Sequence, residues 1–338
     1  VTSTPSAQDL PPIRTTGIGS WPGTDMVDAV KIAFAECPDL PYLPELPTRG
    51  PYADMIGRAT AFLAGLAVDL QPAGWRLTDA SGRDHRLAIS TLRADLDALE
   101  EHAQGYEGTV KLSVAGPWTL AAAMERPRGD RVLADHGARR DLCQSLAEGI
   151  AQLVAELVRR LPDVEFLIQL DEPLLPAVLA GTIANASGWS RHRAVEPPEV
   201  SAAISYVIDR LAPTPLAVHC CAHGVPVELL GTAGISGLFV DIDKLSLADW
   251  DALGSSLEAG LWVGLGALPT EDQTLGPDQL ARRVLRPLRD LNLDPPLLAT
   301  ATMITPACGL ASATRDGAVR ALRTVRTAAQ IVTEQLAD

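Results

Sequence analysis

Leu167-Ile-Gln-Leu-Asp-Glu-Pro173 is an apolar run that ends in two carboxylates and a proline. A strand covered on both faces reads as such a near-continuous run, and Pro173 is suited to open a following helix. The pattern recurs. Leu216-Ala-Val-His-Cys-Cys221 ends in an imidazole and two thiols, and Leu238-Phe-Val-Asp241 ends in a carboxylate. Chemistry placed where strands end is the habit of parallel α/β proteins.

Further runs at 14–20, 109–115, 261–265 and 297–304 bring the strand candidates to seven, and a weaker eighth lies at 73–78. Between them, apolar residues recur at helical spacing: Leu142, Leu146, Ile150, Leu153, Leu157 and Leu161, then Val200, Ile204, Val207 and Leu211. Ala318, Leu322, Val325, Ala329, Val332 and Leu336 repeat the spacing at the end. About eight strand–helix pairs predict an α/β fold, a single (β/α)8 TIM barrel over 13–338. Its surplus length forms an N-terminal extension before Thr109 and a Pro/Arg-rich stretch at 125–131. Residues 1–12, small, polar and Pro-containing, read as a flexible lead-in. An open, doubly wound sheet would show the same periodicity, because closure leaves no mark on it.

The 338 residues carry a formal charge of -14, which argues against nucleic acid or an anionic membrane as partner. No apolar stretch approaches the roughly 20 residues of a membrane span. The N-terminus shows no basic-then-apolar signal, so the expected location is cytoplasmic. Five cysteines, an odd count in such a chain, suit metal binding or catalysis better than a disulfide framework. Cys143 falls inside a helical pattern as a small core residue, and Cys37 at a helix end.

Residues two apart on a strand share a face, so His219 and Cys221 can reach one ion while Cys220 turns away. Cys308, in Thr305-Pro-Ala-Cys-Gly-Leu310, joins them only if the sheet closes. Two thiolates and an imidazole suit Zn2+ and leave a position open for substrate. Asp241 is a candidate fourth ligand and His223 a reserve. A His-x-Cys pair alone describes a buried thiol and a hydrogen-bonded histidine better than a metal site. The other segments change that balance. Asp171, last on its strand, can hold a substrate ammonium or position a proton. Glu172 reads equally as a mouth carboxylate or as a helix cap. In Thr16-Gly-Ile-Gly-Ser-Trp-Pro22, Gly17 and Gly19 allow close backbone approach and Ser20 can bind a substrate carboxylate. No Gly-Lys-Ser/Thr follows, so this is no phosphate loop. Trp118, in Ala115-Gly-Pro-Trp-Thr119, offers a flat face to a ring, although packing is the commoner fate of such a residue.

Taken in order, Thr15-Thr-Gly-Ile-Gly-Ser-Trp21, Gly116-Pro117, Gln169-Leu-Asp-Glu-Pro173, His219-x-Cys221 and Cys308-Gly-Leu310 resemble the catalytic barrel of the cobalamin-independent methionine synthase family. The resemblance runs from about Arg14 to the end. It implies a zinc-binding barrel that transfers a methyl group to homocysteine sulfur. The donor would be 5-methyltetrahydrofolate or, as in single-barrel relatives, a methyl-corrinoid carried by a protein. The family's metal positions fall on His219, Cys221 and Cys308, with Asp241 where the family has Glu. Ser20, Glu45 and Asp171 fall where the amino-acid end of homocysteine is held. There are departures. Long members carry a second barrel, and 266–270 stands in place of an Asp-Ile-His-Ser segment. Ala307-Cys-Gly309 replaces Asp-Cys-Gly, and the folate-stacking Trp has no counterpart beyond nearby Trp118. Competing readings are alkyl transfer to a coenzyme M-like thiol, a non-catalytic zinc barrel, and a metal-free barrel of the uroporphyrinogen decarboxylase type. The last would grip substrate carboxylates with Arg residues, of which only Arg14, Arg49 and Arg58 are near candidate loops.

Overall fold

The computed structural model describes residues 10–271 and 274–337, so most of the predicted lead-in lies outside the described residues. Among the described residues there are nine strands: β1 (Arg14–Thr15), β2 (Ala67–Gln71), β3 (Gly74–Thr78), β4 (Gly108–Ala115), β5 (Val164–Asp171), β6 (Leu216–Cys220), β7 (Gly237–Asp241), β8 (Trp262–Leu268) and β9 (Thr302–Pro306). Seven of them form one parallel sheet in the order β1-β9-β8-β7-β6-β5-β4.

Extended backbone at 41–45 closes the gap between β1 and β4. On one side the Lys111 N–H donates to Pro41 O at 2.8 Å and the Leu43 N–H to Lys111 O at 3.0 Å. On the other the Glu45 N–H donates to Gly19 O at 3.1 Å and the Trp21 N–H to Glu45 O at 2.8 Å. The eighth stave is therefore 41–45. The run at 73–78, expected in that role, is instead β3 of an antiparallel hairpin with β2, outside the ring. Its burial alternates, with Trp75 and Leu77 in and their neighbours half-exposed, which marks a one-faced strand. The true stave sits among Pro41, Pro44 and Pro47, a composition that argues against a ladder strand. The run at 297–304 also divides. Pro295 and Pro296 open a short helix, Pro295–Ala301, and only Thr302–Pro306 is strand.

The core has two layers separated by the strand alternation. Ile168, Leu170, Val218, Cys220 and Val240 face outward beneath the helices. Ile18, Leu40, Leu167, Ala217, Phe239 and Met303 fill the barrel interior. Phe239 fits because its register partner is Gly264, where a Cβ would stand 2.0 Å from the ring. On β5 the inward face reads Leu167, Gln169, Asp171, turning from apolar to polar toward the mouth.

Glu172, the next residue, is fully buried and accepts from the Trp118 N–H at 2.9 Å, and from the Thr119 N–H and hydroxyl at 2.7 Å each. It caps the start of the helix Pro117–Ala123, which follows β4, and not the helix after Pro173. Gly116-Pro117 and Glu172 are thus one device, for a Cβ on Gly116 would lie 2.3 Å from Glu172 Oε1. Gly116→Ala is expected to cost about 1–3 kcal/mol through overpacking, read as a lower urea midpoint. An unchanged midpoint would contradict this packing.

Candidate active site

His219 stands near the end of β6, and Cys221 is the first residue beyond it. Cys308 follows β9 on a loop pinned at both sides. The Ala307 N–H donates to Leu268 O at 2.8 Å, and the Leu310 N–H to Ser20 O at 2.8 Å. Gly309 lets this loop lie against Ser20, since a Cβ there would sit 2.0 Å from Ser20 Oγ. Ring closure thereby brings Cys308 across to β6. Cys221 Sγ and Cys308 Sγ are 3.4 Å apart. One nitrogen of His219 and the two sulfurs all lie within 4.8 Å of one another.

The imidazole is fixed from behind. His219 Nδ1 meets Asp171 Oδ1 at 2.8 Å. A carboxylate only accepts, so Nδ1 carries the proton. Nε2 is buried and makes no well-formed hydrogen bond, although it faces Cys308 closely enough for each to shift the other's proton affinity. A buried ring nitrogen without a hydrogen-bond partner is rare, and beside two thiols it is placed where a metal could be bound. Such backing of a metal-binding histidine by a carboxylate orients the ring and raises its basicity. The residues present therefore fit a thiophilic divalent metal.

The charges agree. The bond from Cys221 pulls Cys308 down to about 4 against the opposing effect of burial, with His219 helping. Cys221 is raised by sharing its proton with Cys308 and by burial. Burial alone would lower His219, but Asp171 and Cys308 outweigh it and push it up to about 9. The group favours negative charge on Cys308 and positive charge on His219, and a divalent ion would enter it by displacing protons.

Residues 13–331 match the family model of the cobalamin-independent synthase catalytic domain. The chain belongs to this family. Among solved structures it is similar to a B12-independent methionine synthase from Shewanella sp. W3-18-1 in complex with selenomethionine, at 14% identity and a TM-score of 0.59. That likeness covers 96% of this chain and 99% of the other, and at this identity it speaks for the shared fold. A looser similarity, with a TM-score of 0.41 and 13% identity, covers 88% of this chain and 86% of the intracellular xylanase TsXylA from Thermoanaerobacterium saccharolyticum. No curated protein matches.

The remaining candidates of this synthase-family barrel are placed unevenly. Glu45 pairs with Ser20 across the closing stave and is buried, with Oε1 lacking a hydrogen-bond partner and Arg58 Nε 3.9 Å away. Burial pushes its carboxyl up to about 7, against the pull of Arg58. Asp241 is half-buried at the end of β7, where Oδ1 accepts from the Asp243 N–H at 3.0 Å. It stands outside the three-residue group, although the charge of Cys308 reaches it. His223 is exposed, 3.3 Å from Lys244 O. Trp118 is buried away from the mouth, lining a cavity of about 200 Å³ among helices with Arg139, Cys143 and Tyr206. Cys220 faces the outer core, as its parity predicts.

Two polar residues inside the barrel escaped the sequence analysis. Lys111 and Gln169 are both fully buried. The signal was present: 111 and 113 on one strand, and 169 and 171 on the next, are polar at alternate positions of otherwise apolar runs. Read with period two, they mark the inward face.

Proposed function

We infer that this chain is a zinc-dependent methyltransferase that moves a methyl group onto the thiol of homocysteine to give methionine. The observation that carries this is the buried Nε2 of His219, without a well-formed hydrogen bond, beside Cys221 and Cys308. Zinc held by these three side chains would supply a Lewis-acid position at which a guest thiol is stabilised as thiolate near neutral pH.

The chain's own residues hold the rest of the substrate. Asp171 Oδ1 is taken by the imidazole and by Gln169, which leaves Oδ2 for an ammonium. Glu45 adds a second carboxylate, and Ser20, at the rim, suits the substrate carboxylate. Two buried carboxylates favour an amino-acid thiol and would repel a sulfonate thiol of the coenzyme M type. Two of the three Arg residues a decarboxylase could use are committed elsewhere, and Arg14 is exposed. Arg49 binds Asp95 at 2.7 and 2.8 Å, and Arg58 binds it at 3.2 Å.

In the transfer a sulfur lone pair forms the new S–C bond, and the electron pair of the old bond leaves with the donor. The thiol proton passes to solvent. Holding sulfur and methyl carbon in line can remove up to about 7–11 kcal/mol of barrier. A folate nitrogen needs a proton as it leaves, whereas a corrinoid cobalt does not. Segment 266–270 carries no ionisable side chain, so we favour a methyl-corrinoid over 5-methyltetrahydrofolate. Side-by-side assays with methylcobalamin and 5-methyltetrahydrofolate test this, and turnover with folate alone would reverse the assignment.

Glu45→Gln is expected to raise the KM for homocysteine about tenfold or more, the equivalent of one lost ion pair of roughly 1.4 kcal/mol, with zinc content unchanged. Since the Glu45 carboxyl lies at about 7, its charge is lost as pH falls below that value. The wild-type KM should climb from pH 8 to pH 5.5, and the Glu45→Gln profile should be flatter. Identical profiles would remove Glu45 from the substrate site.

A further inference from the structure

Beneath the metal-binding group runs a buried polar chain that the transfer itself does not use. Lys111 lies between two rings, with Nζ 5.4 Å from the Tyr42 centroid and 5.2 Å from that of Phe239. It donates to Ile18 O and to Gln169 Oε1, each at 2.6 Å. Gln169 Nε2 donates to Ile18 O at 3.0 Å and to Asp171 Oδ1 at 2.8 Å. The same Asp171 oxygen receives His219 Nδ1 at 2.8 Å.

Every direction in this chain is forced. The carbonyl of Ile18 can only accept, so Gln169 must aim its amide nitrogen there. A flipped amide would set its oxygen against two acceptors. Its oxygen therefore faces Lys111, which answers with a donor. Asp171 Oδ1 ends with two donors, and Oδ2 has none among the described residues. An interior lysine is costly to bury, and packing alone would be served by an apolar side chain at position 111.

We propose that Lys111 and Gln169 are positioning residues that lock the two oxygens of Asp171 into separate tasks, Oδ1 holding the ligand imidazole and Oδ2 receiving the substrate ammonium. The second task rests on the function inferred above; the first does not.

The test uses the full chain carrying Lys111→Met or Gln169→Leu. Gln169→Glu is a second variant, which keeps the acceptor for Lys111 but removes both donors. Zinc affinity, read by competition with a chromophoric chelator, should fall about 10–100-fold, the usual loss for a partner of a metal ligand. In zinc-free protein with ¹⁵N-labelled histidine, the Nδ1–H signal of His219 should exchange with water at least tenfold faster than in wild type. Because the brace acts through Asp171, Lys111→Met should add almost nothing to the zinc loss of Asp171→Asn, whereas general structural damage would add in full. Wild-type zinc affinity and a slow Nδ1–H in all three variants would overturn the brace and leave the metal site standing. Additive losses in the double variant would overturn it too. A lost Nδ1–H in variants of a chain that takes up no zinc would support the brace and sink the metal reading instead.

Discussion

Cys308→Ala should release the zinc and lower methyl transfer to homocysteine by at least a hundredfold, beyond the roughly 10–100-fold that loss of an outer partner of a ligand costs. Cys308 is the member of the group brought in from the far side of the ring. Without it, His219 and Cys221 offer two ligands where a catalytic zinc site uses three. The loop itself should survive, because the Ala307 and Leu310 amides and the packing of Gly309 on Ser20 hold it independently of the thiol. Cys220→Ala is the control. That thiol is one residue from Cys221 but packs in the outer core, so zinc content should stay stoichiometric. Metal analysis after dialysis against a chelator, paired with single-turnover methyl transfer, reads both outcomes. Full zinc and full activity in Cys308→Ala would remove the thiol from the site.

Glu172→Ala should be the most destabilising single change away from the ligands. It removes one acceptor from three donors and strands the Trp118 and Thr119 N–H groups in a buried helix start. Leaving buried donors unmet costs about 1–3 kcal/mol each, so a total near 3–5 kcal/mol is expected, read from urea unfolding at pH 6. Glu172→Gln separates charge from shape. Burial, against the opposing bonds from Thr119 and Trp118, pushes the Glu172 carboxyl up to about 7. A group raised in the folded state contributes stability that is complete below its unfolded value and is lost as pH rises through the folded one. Wild type should therefore lose stability between about pH 4.5 and 7 on account of Glu172, and Glu172→Gln should not show that component. Parallel pH profiles for the two proteins would contradict the assignment.

How legible the fold was depended on which residues carried each element. Strands β6 to β8 announce themselves because their runs are largely buried and mostly apolar, whereas β4 and β5 confine their polar residues to alternate positions. The stave at 41–45 could not be read, since its two prolines, with Pro47 just beyond, argue against a strand and its pairing is made by main-chain groups alone. The hairpin at β2 and β3 took its place in the sequence analysis because a single buried face still yields Trp75 and Leu77 in alternation. The group of His219, Cys221 and Cys308 was legible as far as strand ends and parity reach. His219, Cys221 and Cys308 do converge, but that Cys308 is carried to β6 depends on closure, which periodicity does not encode. Lys111 and Gln169 were hidden for the opposite reason. They sit inside strands that were correctly found, where one polar residue in an apolar run does not by its type announce a role.

The most direct test of the central claim is X-ray absorption at the zinc edge, on protein purified with zinc, before and after homocysteine is added. The account predicts one nitrogen and two sulfur ligands beside a light-atom donor at first, and three sulfurs once homocysteine is present. A metal-free protein, or a sulfur count that stays the same on adding homocysteine, would contradict it.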